Sequence, residues 1–466
     1  MLDEGRLGLT DSRSSTTKDR YRTFLIVWSG QLVSLVGSNL TWFGISIWVF
    51  LETGSVTQLA VILLANQLPR ILVSPIAGTF VDRWDRRWAM ILSDAGAGAG
   101  TLVMVTLYVT GNLTIPALAA VAAVSGTFQA FQYPAYQAAT TLLVPKERYS
   151  RASGMVQLAE AIGNLLAPVL GGIMIAVGGL GLLVAIDVVT FLFALGTLIA
   201  VRFPKPPVSE AGAASKGSIW RETAFGFRYI YERRGLFGLL LYFASINLVF
   251  GAMMPIITAF LLSITTPATM GTLFSIGATG MVLGAILAST WRGVQHKVRG
   301  ILVLGAVLGV AVGTVGTSTR LGLIVVSFWV AMFMLPLVGA FSQAIWMAKV
   351  EPDVQGRVFA VRMAVSQAAV PLSLLAVGPL VDRVFVPLMT GSSALGLWLQ
   401  GVFGSGVTHA YGLFFVVVGI LVVSVSGCAW LVGPIRHLER DIPDAVGLPS
   451  EIETEDDDIV PDASPA

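Results

Sequence analysis

Residues 57–87 read TQLAVILLANQLPRILVSPIAGTFVDRWDRR: an apolar run over 57–81, interrupted by one charge, Arg70, and closed by Arg83, Arg86 and Arg87. A hydrocarbon core about 30 Å thick needs about 20 apolar residues in a helix, and this run is long enough. The same unit recurs along the chain. The apolar runs predict twelve spans, over approximately 23–50, 57–81, 89–110, 115–142, 152–178, 180–201, 236–262, 269–290, 300–317, 321–348, 358–386 and 410–433. Of the 29 Lys and Arg, all but Arg70, Arg320 and Arg383 fall in alternate gaps or in the tails. Basic loops resist translocation, so the alternation predicts a polytopic membrane protein with both ends in the cytoplasm.

Composition agrees. The chain is 55% hydrophobic and 12% charged, whereas soluble domains carry roughly twice that charge fraction. The net charge of +2 says little, because the sidedness of the charge carries the signal. Cys428 is the only cysteine, which excludes an internal disulfide and any multi-cysteine metal site. His296, His409 and His437 fall in loops or tails. No phosphate-cradling Gly-x-x-x-x-Gly-Lys-Ser/Thr is present, and no catalytic constellation or nucleic-acid patch stands out. The chain is therefore not expected to be an enzyme or to need a cofactor or metal.

Five segments are expected: a cytoplasmic tail over 1–22, a six-helix half over 23–202, a cytoplasmic linker over 203–235, a second six-helix half over 236–433, and an acidic, disordered cytoplasmic tail over 434–466. The first apolar run is too long for a signal-peptide core and reads as a retained span. In the linker, Trp220, Phe225, Phe227, Tyr229 and Tyr231 alternate with Arg221, Arg228, Arg233 and Arg234. That mixture suits a helix lying on the membrane surface, with a solvated linker helix as the plain alternative. Residues 387–409 are expected to be a long outer loop rich in Gly and Ser. The halves look like a repeat with an offset of 206 residues. Gly78 maps to Gly284, Arg86 to Arg292, Gln137 to Gln343, Glu147 to Asp353 and Arg151 to Arg357.

Two motifs stand above this background. The first is Gly78-Thr79-Phe80-Val81-Asp82-Arg83-Trp84-Asp85-Arg86-Arg87. A glycine at a helix end admits another helix closely, and Asp82 can face the free N–H groups of a neighbouring helix start or pair with an arginine. Such a contact can lock one conformation and break in another. The second lies in span five: Gly154, Gly163, Ala167-Pro168 and Gly171-Gly172 make a smooth small-residue face, and Pro168 bends the helix.

The first motif resembles the signature Gly-x-x-x-Asp-Arg-x-Gly-Arg-Arg of the major facilitator superfamily, with Asp85 in place of the second glycine, as in the drug-exporter branch of macrolide efflux and enterobactin exporter proteins. The second resembles that branch's antiporter motif, with Ala167 replacing a glycine. Thr53-Gly54-Ser55, Tyr133-Pro134-Ala135, Val144-Pro145-Lys146-Glu147 and Asp187 before Thr190-Phe191 extend the likeness along the chain. The resemblance implies an all-α membrane protein of twelve transmembrane helices in two six-helix pseudo-symmetric halves. It also implies rocking of the halves about a central site, a seal between them along the antiporter helix, and export rather than uptake.

Ionisable groups inside a membrane usually face the protein interior and mark coupling or substrate sites. Arg70, Asp94, Glu160 and Asp187 are the candidates, with Arg70 ~16 Å and Glu160 ~14 Å from the cytoplasmic side at 1.5 Å per residue. Glu160 is the first candidate for carrying a proton, with a structural carboxylate as the even alternative. Asp187 reads rather as structural, and Asp94 as part of the cytoplasmic latch. In this fold the cavity is lined mainly by spans one, four, seven and ten. These offer Gln31, Asn39, Trp42, Gln132, Tyr136, Gln137, Asn247, Gln343 and Trp346, a mixture of aromatics and amides suited to a bulky amphipathic ligand.

The expected activity is secondary active, proton-coupled export of hydrophobic or amphipathic small molecules, drug-like or macrolide-like, across the cytoplasmic membrane. Alternatives are an exporter of an endogenous metabolite such as a siderophore, or a transporter-like sensor, scaffold or lipid flippase. The expected partners are a small-molecule substrate, protons and the lipid bilayer, with no nucleic acid, and the chain is expected to act as a monomer.

Overall fold

Hydrocarbon offers no partner to a free backbone group, and the chain answers with helix almost throughout. A computed structural model describes residues 4–83, 85–145, 148–201, 203, 219–290, 296–351 and 354–445, and among them there is no strand. Its elements are α1 (Glu4–Thr53), α2 (Val56–Arg83), α3 (Arg86–Val109), α4 (Ile115–Leu143), α5 (Tyr149–Ala200), α6 (Ile219–Glu232), α7 (Arg234–Gly251), α8 (Met253–Ile264), α9 (Pro267–Thr290), α10 (Lys297–Val315), α11 (Leu321–Lys349), α12 (Gln355–Leu380), a π-helical turn (Val381–Phe385), α13 (Val386–Thr390), α14 (Ala394–Phe403), α15 (Val407–Leu431), α16 (Gly433–Arg436) and α17 (Leu438–Asp441).

Eleven stretches among the described residues are long and apolar enough to cross a membrane. One of them, Gly154–Ala200, has 47 residues, about 70 Å of helix at 1.5 Å per residue and twice the hydrocarbon thickness. It breaks at Gly179, whose φ of 63° and ψ of −166° lie outside the helical region and favour glycine. The break makes two crossings, spans five and six, and brings the total to twelve. Span seven is likewise split into α7 and α8 at Ala252, and span eleven continues from α12 through the π turn into α13.

Residues 4–22 are helical and run on into span one within α1. Two local expectations differ from the structure. The 387–409 connection is not all loop. Ala394–Phe403 is helical, started by Ser393, whose side chain accepts from the Gly396 N–H at 3.1 Å. Nor is the acidic tail free from 434 onward. Lys349, 7% exposed, donates to the Glu439 and Ile442 carbonyls and pairs with Asp444 at 2.8 Å. Glu439 accepts from Lys297 N at 3.0 Å and Val298 N at 3.2 Å, capping α10. Residues 446–466 lie outside the described residues, as do 204–218 of the linker.

The packing clusters show how the halves meet. One face of the molecule carries the basic loops, and the other carries the short connections at Gly54, Gly111 and Gly179. Toward the short-loop face a single apolar cluster draws on both halves, with Phe43, Ile47 and Leu59 from the first against Ile256, Phe260, Met270 and Phe385 from the second. Toward the basic face the clusters are separate. Val27, Val81, Met90 and Leu198 belong to one half, and Leu236, Ile301, Trp346 and Val358 to the other. The halves are joined at the short-loop face, and at the basic face each packs on itself.

Candidate functional site

A cavity of about 270 Å³ opens among spans one to six, and every residue lining it comes from the first half. Gln31, Asn39, Trp42, Arg70, Asp94, Gln132, Tyr136, Glu160 and Asp187 all line it. The four candidate ionisable groups therefore share one space. Of the expected cavity residues, Gln137 is exposed and lies outside this lining. The three from the second half are also elsewhere. Asn247 donates to the Ser366 carbonyl at 3.3 Å, Gln343 accepts from Arg362 at 3.0 Å, and Trp346 is fully buried with the Arg362 guanidinium 5.2 Å from its ring centre.

Asp94 is 4% exposed, on a glycine-rich stretch of α3 that lets neighbours close in. A Cβ at Gly96 would lie 2.3 Å from Phe128, and one at Gly98 2.6 Å from Phe191. Gln31 of α1 donates to Asp94 Oδ2 at 2.8 Å and Gln132 of α4 donates to Oδ1 at 2.7 Å. Gln132 also donates to the Gln31 Oε1 at 3.1 Å, closing a triangle across three helices. Asp187, 5% exposed, is held by Ser38 at Oδ1 and Thr101 at Oδ2, both at 3.1 Å. Both acids thus accept only from neutral donors among the described residues. Glu160 is half-buried and Arg70 is exposed to the cavity, and among the described residues no ion pair joins them. Ser38 and Thr101 escaped the sequence reading, since an isolated hydroxyl in an apolar run looks like any packing residue.

The small-residue face of span five lies between two partners. On one side a Cβ at Gly163 would come 2.8 Å from Asn39, and one at Gly171 3.0 Å from Phe43, both on α1. On the other, a Cβ at Gly172 would come 2.4 Å from the Pro267 carbonyl oxygen, and one at Gly271 2.0 Å from that of Pro168. Ser275 of α9 donates to the Leu165 carbonyl at 2.8 Å. This face therefore joins spans five and eight across the two halves. Gly154, at the basic end, meets nothing.

In the loop after span two, Asp85 caps α3, accepting from Arg87 N at 2.9 Å and Trp88 N at 3.4 Å. Arg87 donates to the Leu198 and Ile199 carbonyls at 2.9 and 2.8 Å, closing the end of span six. Arg86 buries Nε and Nη1 without a partner among the described residues. Gly78, Asp82 and Arg83 fall on α2, and their side chains lie outside the described residues. No group of three or more metal-ligating side chains occurs among the described residues.

Twelve crossings, a duplicated half and a mid-membrane cavity define a secondary-transporter architecture. Residues 27–374 match the Major Facilitator Superfamily, and the chain belongs to that family. It is similar to macrolide efflux protein A of Streptococcus pyogenes, 25% identical over 423 residues, covering 89% of this chain and 97% of the relative. It is also similar to the enterobactin exporter EntS of Salmonella typhi, 25% identical over 332 residues, covering 68% and 74%. Among solved structures, a bacterial homolog of the human lysosomal transporter Spinster, inward-facing and unoccupied, shares the fold with a TM-score of 0.65 at 14% identity, covering 88% of this chain and 97% of that one. The chain is thus a multi-pass membrane transporter and not an enzyme.

Proposed function

We propose that the chain exports hydrophobic or amphipathic small molecules, macrolide-like or otherwise drug-like, across the cytoplasmic membrane in exchange for protons. The carrying observation is one cavity holding Trp42 and Tyr136 beside the amide-held Asp94 and the hydroxyl-held Asp187. Aromatic and apolar walls take up a greasy ligand, and scattered amides orient it. A carboxylate bonded only by neutral donors can exchange its proton without first breaking an ion pair. The basic loops support a cytoplasmic positive face, and with it cytoplasmic termini. The state described is then closed outside, and the ligand enters from the cytoplasm.

Glu160 was the first proton candidate on sequence grounds, and its place in the same cavity keeps it in the set. Asp94 now ranks ahead of it, because its three-helix triangle couples protonation to the relative positions of spans one, three and four. Arg70 supports a second reading: a guanidinium that reaches the cavity and has no ion pair among the described residues suits a metabolite bearing a carboxylate or catecholate, as a siderophore does.

The test is substrate movement in proteoliposomes under an imposed pH gradient, with the parent, Asp94→Asn and Glu160→Gln. The reading expects gradient-driven movement of a macrolide in the parent and its loss in Asp94→Asn, with ligand binding retained. Equal movement with and without a protonophore overturns proton exchange. Reporter fusions at 82–88 and 203–235 appearing on opposite faces overturn the orientation.

A further inference from the structure

Gly378-Pro379-Leu380-Val381-Asp382-Arg383 repeats the Gly, Val, Asp and Arg of Gly78-Thr79-Phe80-Val81-Asp82-Arg83 at the same spacing. The duplication of the halves does not account for this. Its offset of 206 carries Gly78 to Gly284 and Asp82 to Ala288, on span eight, whereas Gly378 lies on span eleven. Spans two and eleven run in opposite directions, so the two copies lie at opposite faces, Asp82 at the basic face and Asp382 at the short-loop face.

The second copy is engaged. Gly378 is buried, and a Cβ there would lie 2.4 Å from the Thr57 Cα. That approach brings Asp382 over the start of α2, where Oδ2 accepts from Ser55 Oγ at 2.9 Å, Thr57 N at 3.0 Å and Thr57 Oγ1 at 2.7 Å. Ser55 is in turn fixed by Gln58 N, which donates to its hydroxyl at 3.3 Å. The first N–H groups of a helix have no partner within it, and that end is positive, so an aspartate is a natural closure. The local backbone serves this contact. Val386 N reaches back to the Val381 carbonyl, a π-helical step, ahead of Pro387, which has no N–H to give.

We propose that Asp382 is a conformational latch: it pins span eleven to the start of span two, holds the halves together at the short-loop face, and lets go when that face opens. Toward the basic face the halves pack separately, so the latch sits where the two bodies are joined. The inference rests on the transporter fold and is independent of what is carried.

The test uses the full chain in nanodiscs with Cys428→Ser, spin-labelled in one sample at Asn112 and Thr319 on the short-loop face and in another at Arg151 and His296 on the basic face. Asp382→Ala should lengthen the first distance, shorten the second, and change the ratio of the two states by about tenfold or more, the loss of a charge-assisted contact. Gly378→Val, which wedges the helices apart without touching the acid, should move both distances the same way. Should Asp382→Ala fail to fold, Ser55→Ala combined with Thr57→Ala leaves the acid in place and carries the same expectation. Parental distances in both the donor-removal and the wedge variants overturn the proposal.

Discussion

The two halves share a register but not a chemistry. The first half surrounds its cavity with Asp94, Asp187, Glu160 and Arg70, and its buried acids are held by amides and hydroxyls alone. Among the described residues, the buried polar ones of the second half are Thr258, Ser327, Ser342, Lys349, Ser373 and Ser426, with no acid among them. Its charges sit at its ends, Lys349 at the basic face and Asp382 at the other. A duplicated fold has thus concentrated its buried acids in one copy, and among the described residues the other copy buries none. On the proposed proton exchange, only one of the two bodies has to sense an ion.

The sharpest way to break this contrast is to exchange the acid on one side for a neutral group and touch an amide on the other. A pH step of about one unit supplies about 1.4 kcal/mol per proton, a tenfold concentration ratio. Asp94→Asn should collapse that ratio toward one, while Asn247→Ala should leave it at the parental value, both read as steady-state accumulation in proteoliposomes. Loss of coupling in Asn247→Ala alone would reverse the assignment of roles.

Next in size is the second half's buried cation. Lys349→Met leaves the Glu439 and Ile442 carbonyls without their donor, at a loss of about 3 kcal/mol for an interrupted buried charge network. Thermal unfolding of the variant should fall well below the parent, and trypsin should cut at Arg436 or Arg440 in the folded protein. A smaller effect is expected of Thr101→Ala, which leaves Asp187 with Ser38 as its one hydroxyl donor and should lower stability by about 1 kcal/mol. The smallest lies at the linker helix. The Tyr229 hydroxyl donates to Glu351 and holds its carboxyl below the usual carboxylate range, assisted by Arg233 at 3.6 Å. A lowered folded-state value stabilises the fold above the ordinary carboxylate value, about 4.3. That contribution disappears as the pH falls through the lowered value. The gap in thermal midpoint between the parent and Glu351→Gln should therefore be constant near neutrality and close only in acid.

Much of the fold was legible because lipid enforces it. An apolar run long enough to span, closed by arginines, has few other readings, and the Gly178-Gly179 pair marked the break between spans five and six. The small-residue face of span five was also legible, since only glycine admits a carbonyl oxygen at the distances found at Gly172 and Gly271. What stayed hidden depended on partners distant in sequence. Asp441 and Asp444 look like part of a solvated acidic tail until the buried Lys349, held by the Glu439 and Ile442 carbonyls and by Asp444, draws the segment onto α11. Gln343 and Trp346 look like cavity residues until Arg362 occupies them. Asp382, inside the expected eleventh span, meets its partners Ser55 and Thr57 only across the two halves, 327 and 325 residues away in sequence. The helix over Ala394–Phe403 was masked by flanking Gly and Ser, although Ser393 was a readable cap.

Because every residue lining the cavity belongs to one half, a molecule bound there on the proposed reading rides with that body as a passenger. Its immediate neighbours then change little during the stroke, and what alternates is the rim that the other half uncovers. Selectivity and release are thereby divided between the two copies, so residues that choose the cargo and residues that time its departure can vary independently.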